Sequence, residues 1–144
     1  MTGAERFRAM AAGKIPPPPV AELVGIELTE IERGRATFHL SARPEHASPL
    51  GTMQGGIICV LADAAMGGAY VSLLEDDETF ATLELKTNYL KPVWSGRLTA
   101  VAEVLKAGRT VGLVECRVTD ESGSLVAHAT STCMTLRGDA AAGR

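Results

Sequence analysis

Residues 55–72 form an apolar run in which Asp63 is the single charged side chain. Apolar residues recur on every side of a helix drawn through this run, and a helix that is apolar all round must be enclosed by the rest of its chain. A transmembrane helix is the less favoured alternative, because the run is at the short limit for spanning a bilayer and has a carboxylate near its middle. We therefore predict a buried helix over these residues.

The segments around this helix alternate between apolar and polar residues, which is typical of half-buried strands. Residues 24–40 are interpreted as a β-hairpin that turns at Gly34, and the loop 41–54 leads into the helix. After an acidic loop, four further alternating segments are separated by turn signals: 79–90, 97–106, 110–119 and 125–136. Two strands, one apolar helix and a meander of four strands predict an α+β fold, in which a curved antiparallel sheet wraps a long central helix.

The length of the chain, 144 residues, suits one domain and is too short for two. Residues 1–19 are expected to form an N-terminal arm, with a short amphipathic helix over 3–12 and an extended segment at the four prolines 16–19. We expect residues 20–137 to form the single domain and residues 138–144 to form a disordered tail.

Charge and cysteine content argue against several classes of partner. Seventeen acidic against fourteen basic residues give a net charge of -3, so nucleic acid is not an expected partner. Cys59, Cys116 and Cys133 are widely spaced in apolar runs, which predicts reduced cysteines of a cytoplasmic protein rather than disulfides or a zinc site. Residues 1–14 lack the apolar stretch of a signal peptide. We expect no metal, no cofactor and no membrane association.

The presence of Asp63 in an apolar helix requires an explanation, because burying a carboxylate without partners is strongly unfavourable. Two interpretations stay open. The carboxylate is either structural, bonded to a backbone donor or to Thr82 or Thr87 on the next strand, or it is exposed at a gap in the packing or faces another chain. The second interpretation suits a reactive group.

Gly55 and Gly56 open the helix, although glycine is roughly 1 kcal/mol less favourable there than alanine. They either relieve crowding or let a ligand approach the unpaired N–H groups of the first turn, which suit an oxygen that becomes negative during a reaction. Asp63 lies eight residues beyond Gly55, about 12 Å along one helix. A base and an oxyanion donor must each sit about 3 Å from the reacting atom. If both act, they come from two antiparallel helices of a two-fold dimer.

Three segments resemble motifs of hotdog-fold acyl-CoA thioesterases of the phenylacetyl-CoA thioesterase type: GTMQGG at 51–56, LADAAMG at 61–67 and TLELKTNYLKP at 82–92. The resemblance extends over residues 20–137 and includes the order of the elements. It implies the hotdog fold, a CoA thioester substrate, and an active site between the subunits of a homodimer. It also implies that these dimers assemble into a homotetramer.

The resemblance also implies roles for individual residues. Asp63 matches the acidic residue that acts as general base or nucleophile, Gly55 the backbone amide that polarises the thioester carbonyl, and Thr82 a hydroxyl that helps to place water. Gln54 stands where the commonest motif has histidine, and Ser48 where many members have asparagine or glutamine. The amide of Gln54 cannot donate a proton in acid catalysis but can hydrogen-bond a carbonyl, and a thiolate leaves without strong acid assistance.

Substrate binding is assigned to Gly56 and Ser48 and, by resemblance, to cations at strand ends that would face the anionic nucleotide of CoA: Lys91, Lys106, Arg109 and Arg137. Apolar residues that suit either an acyl pocket or the core are Met53, Met66, Tyr70 and Leu90. His46 is expected at the surface of its loop. We predict a thioesterase that hydrolyses an acyl- or aryl-CoA thioester to free acid and CoA. A non-catalytic acyl-CoA-binding protein of the same fold is the alternative, which Gln54 and Ser48 favour.

Overall fold

The computed structural model describes residues 1–142. Its helices are α1 (Gly3–Ala11), α2 (Pro19–Val24) and α3 (Gly55–Val71). Its strands are β1 (Ile26–Glu32), β2 (Arg35–Ser41), β3 (Thr79–Tyr89), β4 (Arg97–Ala107), β5 (Val111–Thr119) and β6 (Leu125–Leu136). Short 3-10 helices span Pro44–His46 and Gly138–Ala141. The apolar helix and the six strands predicted from the sequence are therefore confirmed, within one or two residues of their expected ends.

Helix α3 lies at the centre of the domain, with the curved sheet around it. The side chains that it buries most completely have at most 1% of their surface exposed: Leu61, Ala62, Ala65, Met66 and Ala69. They pack mainly on β2, β4 and β5. Enclosure by the sheet explains how a helix that is apolar on nearly every side is stable in water. Across residues 1–142, every helix falls short of the length and apolarity needed to span a bilayer.

The six strands form one antiparallel sheet in the order β1-β2-β4-β5-β6-β3. The expected four-strand meander is wrong for β3, which pairs with β6 and lies at the edge of the sheet instead of beside β4. Residues 90–96 connect β3 to β4, and seven extended residues reach about 23 Å. Three strand spacings amount to about 14 Å, so this connection is long enough to cross the end of the sheet. Its backbone is bonded there to Ala42, Met53 and Val126.

The N-terminal arm packs directly on the domain. Thr2 caps α1, because its Oγ1 accepts a hydrogen bond from the N–H of Glu5 at 3.1 Å while the Glu5 carboxylate accepts one from the N–H of Thr2 at 2.8 Å. A Cβ built on Gly68 of α3 would lie 3.3 Å from the ring of Phe7, so α1 and α3 are in contact. The division into arm, domain and disordered tail stays a prediction. Residues 138–141 form a 3-10 turn, and residues 143–144 lie outside the described residues.

Candidate active site

Asp63 is exposed in the middle of α3, on the side that the sheet leaves uncovered. This open face of α3 consists of two exposed and four half-buried residues: Gly56, Cys59, Val60, Asp63, Ala64 and Gly67. Partial burial raises the pKa of the Asp63 carboxyl above its ordinary value. Within residues 1–142, neither a hydrogen bond nor a charged partner contributes to that shift. The carboxylate is therefore available to another molecule.

The two threonines that could have made Asp63 a structural residue have other partners. Thr87 Oγ1 accepts a hydrogen bond from Cys59 Sγ at 3.4 Å, and Thr82 Oγ1 lies 4.0 Å from Cys133 Sγ. Burial raises the pKa of the Cys133 thiol, and the nearby charge of Asp63 adds to that effect. Thr82 thus contacts the buried Cys133 thiol, and the charge of Asp63 is near enough to affect it.

The start of α3 is open on one side and crowded on the other. Gln54 donates its backbone N–H to the carbonyl of His46 at 2.8 Å, and its exposed side chain makes no capping bond to the helix. A Cβ on Gly56 would meet no atom within 4 Å, whereas a Cβ on Gly55 would lie 2.8 Å from Cζ of Tyr89. Gly55 therefore relieves crowding, and Gly56 leaves the first turn accessible.

Tyr89 is a residue of this region that sequence reasoning did not single out. Its hydroxyl donates to the carbonyl of Gly55 at 2.9 Å and lies 2.9 Å from Cys59 Sγ. The contact with Cys59 and partial burial raise the pKa of Tyr89 to about 12, so the hydroxyl keeps its proton. Tyr89 ties the end of β3 to the first turn of α3. Its position inside the third family-like motif was the available signal.

The loop before α3 is anchored by His46, so the expectation that His46 lies at the surface is wrong. His46 is 4% exposed. The N–H of Arg43 donates to its Nδ1 at 3.1 Å, so Nε2 is the ring nitrogen that donates to the carbonyl of Val24 at 2.7 Å. Ser48 is half-buried in the same loop, where its hydroxyl contacts Thr52 Oγ1 at 3.4 Å. Its role in substrate binding stays a prediction.

The predicted CoA-binding cations do not meet within one subunit. Lys91 lines a surface depression that also includes Gly55, at the start of α3. Its Nζ donates to Asp120 Oδ2 at 2.6 Å, and this bond holds the pKa of the Asp120 carboxyl well below its usual range. Lys91 is therefore near the helix start but already paired.

The other three cations lie at the opposite end of the sheet. Lys106 and Arg109 flank the turn between β4 and β5, and Arg137 follows β6. Lys106 lies near the C-terminal end of α3: a Cβ built on Gly112 of β5 would lie 3.2 Å from the carbonyl oxygen of Lys106 and 2.5 Å from the ring of Tyr70. The Nε of Arg137 donates to Glu78 Oε1 at 2.7 Å. A role of these residues in binding the nucleotide of CoA stays a prediction.

The described part of the chain contains no group of three His, Cys, Asp or Glu side chains that could hold a metal ion. The polar groups predicted to act here are the carboxylate of Asp63, the hydroxyl of Thr82, the side-chain amide of Gln54 and the N–H groups at the start of α3. These groups suit proton transfer to and from water and the stabilisation of a developing oxyanion.

Comparison with known proteins identifies a family with this chemistry. The chain matches the thioesterase superfamily over residues 50–127, more than half of its length. The 1,4-dihydroxy-2-naphthoyl-CoA hydrolase of Listeria monocytogenes is 32% identical to it over 105 residues, which cover 73% of this chain and 85% of that protein. A medium/long-chain acyl-CoA thioesterase of Salmonella typhimurium is 28% identical over 131 residues, covering 81% and 84% of the two chains.

Solved structures share the fold. A phenylacetic acid degradation-related protein of Ralstonia eutropha JMP134 superposes with a TM-score of 0.81 at 31% identity, covering 89% of this chain and 98% of that one. The fold and the sequence thus point to the same family, and the hotdog architecture implied by the three motifs is confirmed. The chain belongs to the thioesterase superfamily, as a hotdog-fold thioester hydrolase.

Proposed function

We propose that this enzyme hydrolyses an acyl- or aryl-CoA thioester to free acid and CoA, at an active site shared between two subunits. Asp63 of one subunit activates a water molecule or attacks the thioester carbon directly, and Thr82 of that subunit orients the water. Gly55 and Gly56 of the partner subunit hold the carbonyl oxygen with their amides, and Gln54 of the partner subunit assists with its side chain. The exposed carboxylate of Asp63, without a bonding partner in residues 1–142, carries the proposal.

The separation of Asp63 and Gly55 along α3 supports a shared site. The two residues lie about 12 Å apart on one helix, whereas a base and an oxyanion donor each approach the reaction centre to about 3 Å. One subunit therefore cannot supply both groups to one carbon atom. A two-fold axis provides a second helix start that can face Asp63.

The edge strand β3 offers the surface for such a dimer. Its outer side has no neighbouring strand in residues 1–142, and Leu83, Tyr89 and Leu90 are 58%, 52% and 58% exposed. A long, apolar edge is a template for pairing with another chain. The subunit exposes 7926 Å², whereas a monomeric protein of this mass exposes about 7,100 Å². The excess is close to the ~800 Å² that each partner buries in a standard interface.

The contacts of α3 with β3 support one position for the proposed two-fold axis. Within one subunit, the charge of Asp63 acts on the Cys133 thiol, and Thr82 Oγ1 lies 4.0 Å from that same thiol. Gly55 accepts a hydrogen bond from Tyr89. If two β3 strands pair antiparallel about an axis at Leu85, the partner's Tyr89 lies next to Thr82. The same pairing brings the partner's Gly55 to the level of Asp63. We propose this register for the dimer.

The chemical step follows from these positions. Asp63 takes a proton from water while the water oxygen bonds to the carbonyl carbon, and the N–H groups at the positive end of the partner's helix stabilise the oxyanion. The C–S bond then breaks and CoA leaves as a thiolate. A thiol with a pKa near 8.5 needs little acid assistance, so Gln54 in place of histidine is compatible with hydrolysis. The raised pKa of Asp63 makes it a stronger base than an ordinary aspartate.

We extend the proposal to a homotetramer of two such dimers and to a cytoplasmic location. Val111 and Leu113 of β5 are 49% and 43% exposed on the face of the sheet turned away from α3, which offers a second apolar surface. Cys59, Cys116 and Cys133 are free thiols, as is usual for proteins in a reducing compartment.

Thiol release from a panel of aliphatic and aromatic acyl-CoA esters tests this function. The wild-type enzyme is expected to release thiol, and Asp63→Asn is expected to lower the rate about 10²–10⁴-fold. Asp77→Asn, which removes a carboxylate from the exposed loop after α3, is the matched control and should keep the wild-type rate. Hydrolysis by Asp63→Asn at the wild-type rate would contradict the mechanism. Binding of the esters without release by the wild-type protein would favour the acyl-CoA-binding alternative.

A further inference from the structure

An apolar cavity of about 360 Å³ lies between the N-terminal arm and the domain. Phe7, Met10 and Val20 line it from the side of the arm and α2, and Phe38 and Ala64 line it from β2 and α3. By contrast, Met53, Met66 and Tyr70, which the sequence assigned to an acyl pocket or to the core, are buried in the core. The arm therefore forms one wall of an apolar space beside α3.

The cavity and Asp63 lie on the same turn of α3, because Ala64, which lines the cavity, is the residue after Asp63. Consecutive residues of an α-helix point about 100° apart at nearly the same height. The carboxylate and the cavity consequently occupy adjacent sides of one helical turn. The side chain of the half-buried Ala64, which separates them, is a single methyl group. A group attached to a carbonyl carbon at Asp63 is within reach of the cavity.

The lining of the cavity favours an apolar occupant. Apolar cavities stay dry and bind apolar molecules, and one of 150 Å³ is large enough for benzene. Glu27, a charged lining residue, is turned to Arg97, with 3.6 Å between its carboxylate and the guanidinium. An aromatic ring or an aliphatic chain of medium length therefore fits both the size and the chemistry of the space.

We propose that this cavity receives the acyl or aryl group of the substrate, and that Phe7, Met10 and Val20 set the size of the group that the enzyme accepts. The inference rests on the proposed function, because it places the carbonyl carbon of the substrate at Asp63. In this view, helices α1 and α2, which lie outside the segment matched by the family, determine acyl selectivity.

Two substitutions that change the volume of the cavity in opposite directions test the inference. Val20→Phe narrows the cavity, and Met10→Ala widens it. Leu23→Phe is the matched control for Val20→Phe, because Leu23 lies on the same short helix and its side chain is 79% exposed. The kcat/KM of each variant is measured with straight-chain acyl-CoA esters from acetyl to dodecanoyl and with benzoyl- and phenylacetyl-CoA.

In the wild-type enzyme, kcat/KM should rise about fourfold for each methylene group added, until the cavity is full. Val20→Phe should move this limit to shorter chains and lower the ratio of phenylacetyl- to acetyl-CoA hydrolysis tenfold or more. Met10→Ala should move the limit to longer chains, and Leu23→Phe should leave the ratio unchanged.

The outcomes separate this inference from the proposed function. Thiol release with the same chain-length profile in all variants would overturn the inference and leave the hydrolase function intact. A uniform loss of activity in Val20→Phe, together with a changed sedimentation coefficient, would mean that the cavity receives a segment of a second subunit, and would also overturn it. Failure of the wild-type enzyme to release thiol from any ester would instead contradict the proposed function.

Discussion

A shared active site can be tested by combining two inactive variants. Asp63→Asn removes the base from one side of the proposed site, and Gln54→Ala removes a hydrogen-bond donor from the other side. Loss of a general base costs about 10²–10⁴-fold, and loss of an oxyanion donor costs about 10²–10³-fold. Each variant alone should therefore keep at most about 1% of the wild-type rate.

Mixing the two variants should restore activity by a calculable amount. In a heterodimer, one site contains both substitutions and the other contains neither. Random exchange of equal amounts makes about a quarter of all sites intact, whether or not the dimers assemble further. Mixing Asp63→Asn with Thr82→Ala is the matched control. Because the proposal takes Asp63 and Thr82 of each site from the same subunit, no site in that mixture is intact, and its activity should equal the mean of the two parents.

The assay follows thiol release after subunit exchange, with one variant isotopically labelled so that native mass spectrometry reports the mixed dimers. The expected result is about 25% of the wild-type rate in the first mixture. The control mixture should show only the mean rate of its two parents. If mixed dimers form and the first mixture stays at the mean of its parents, the shared site is wrong.

Three further predictions concern stability and assembly. Burial raises the pKa of Asp63 in the folded state, so ionisation of this carboxyl disfavours folding as pH rises through that pKa. Asp63→Asn should therefore raise the melting temperature at pH 7, and this increase should disappear below about pH 4. Gly55→Ala, whose methyl would lie 2.8 Å from a tyrosine ring, should lower the free energy of unfolding by about 1–3 kcal/mol in urea titrations. Gly56→Ala meets open space and should raise it by up to about 1 kcal/mol. In the proposed register, Glu84 faces Lys86 of the partner subunit. Glu84→Lys should therefore weaken the dimer in sedimentation experiments, and the double variant with Lys86→Glu should restore it. Equal dissociation constants for the wild-type protein and Glu84→Lys would refute the register.

The helix and the strands could be predicted because each has one dominant period. An amphipathic strand repeats every two residues, and α3 is apolar nearly all round, so short windows of sequence are sufficient. Asp63 stood out for the same reason, as the one charge in an apolar run. The cost of burying an unpaired carboxylate left two interpretations, a bonded structural carboxylate or an exposed one, and the structure shows the exposed one.

The place of β3 and the burial of His46 could not be predicted from local pattern. Strand β3 pairs with β6, about fifty residues later in the chain, and this depends on how far the connection 90–96 reaches. His46 is buried by its bond to Val24, twenty-two residues earlier. Tyr89 meets Gly55 across thirty-four residues. Polarity and periodicity carry no information about such distant partners.

If two subunits pair through the exposed edge of β3 as proposed, the stability of the enzyme depends on its concentration. When partners separate, mass action leaves each subunit with its leucines in water, and the folded form loses the free energy that association supplied. Dilution should therefore lower both the melting temperature and the specific activity over the same range of concentrations. A substrate analogue that binds both halves of the site should reduce both losses.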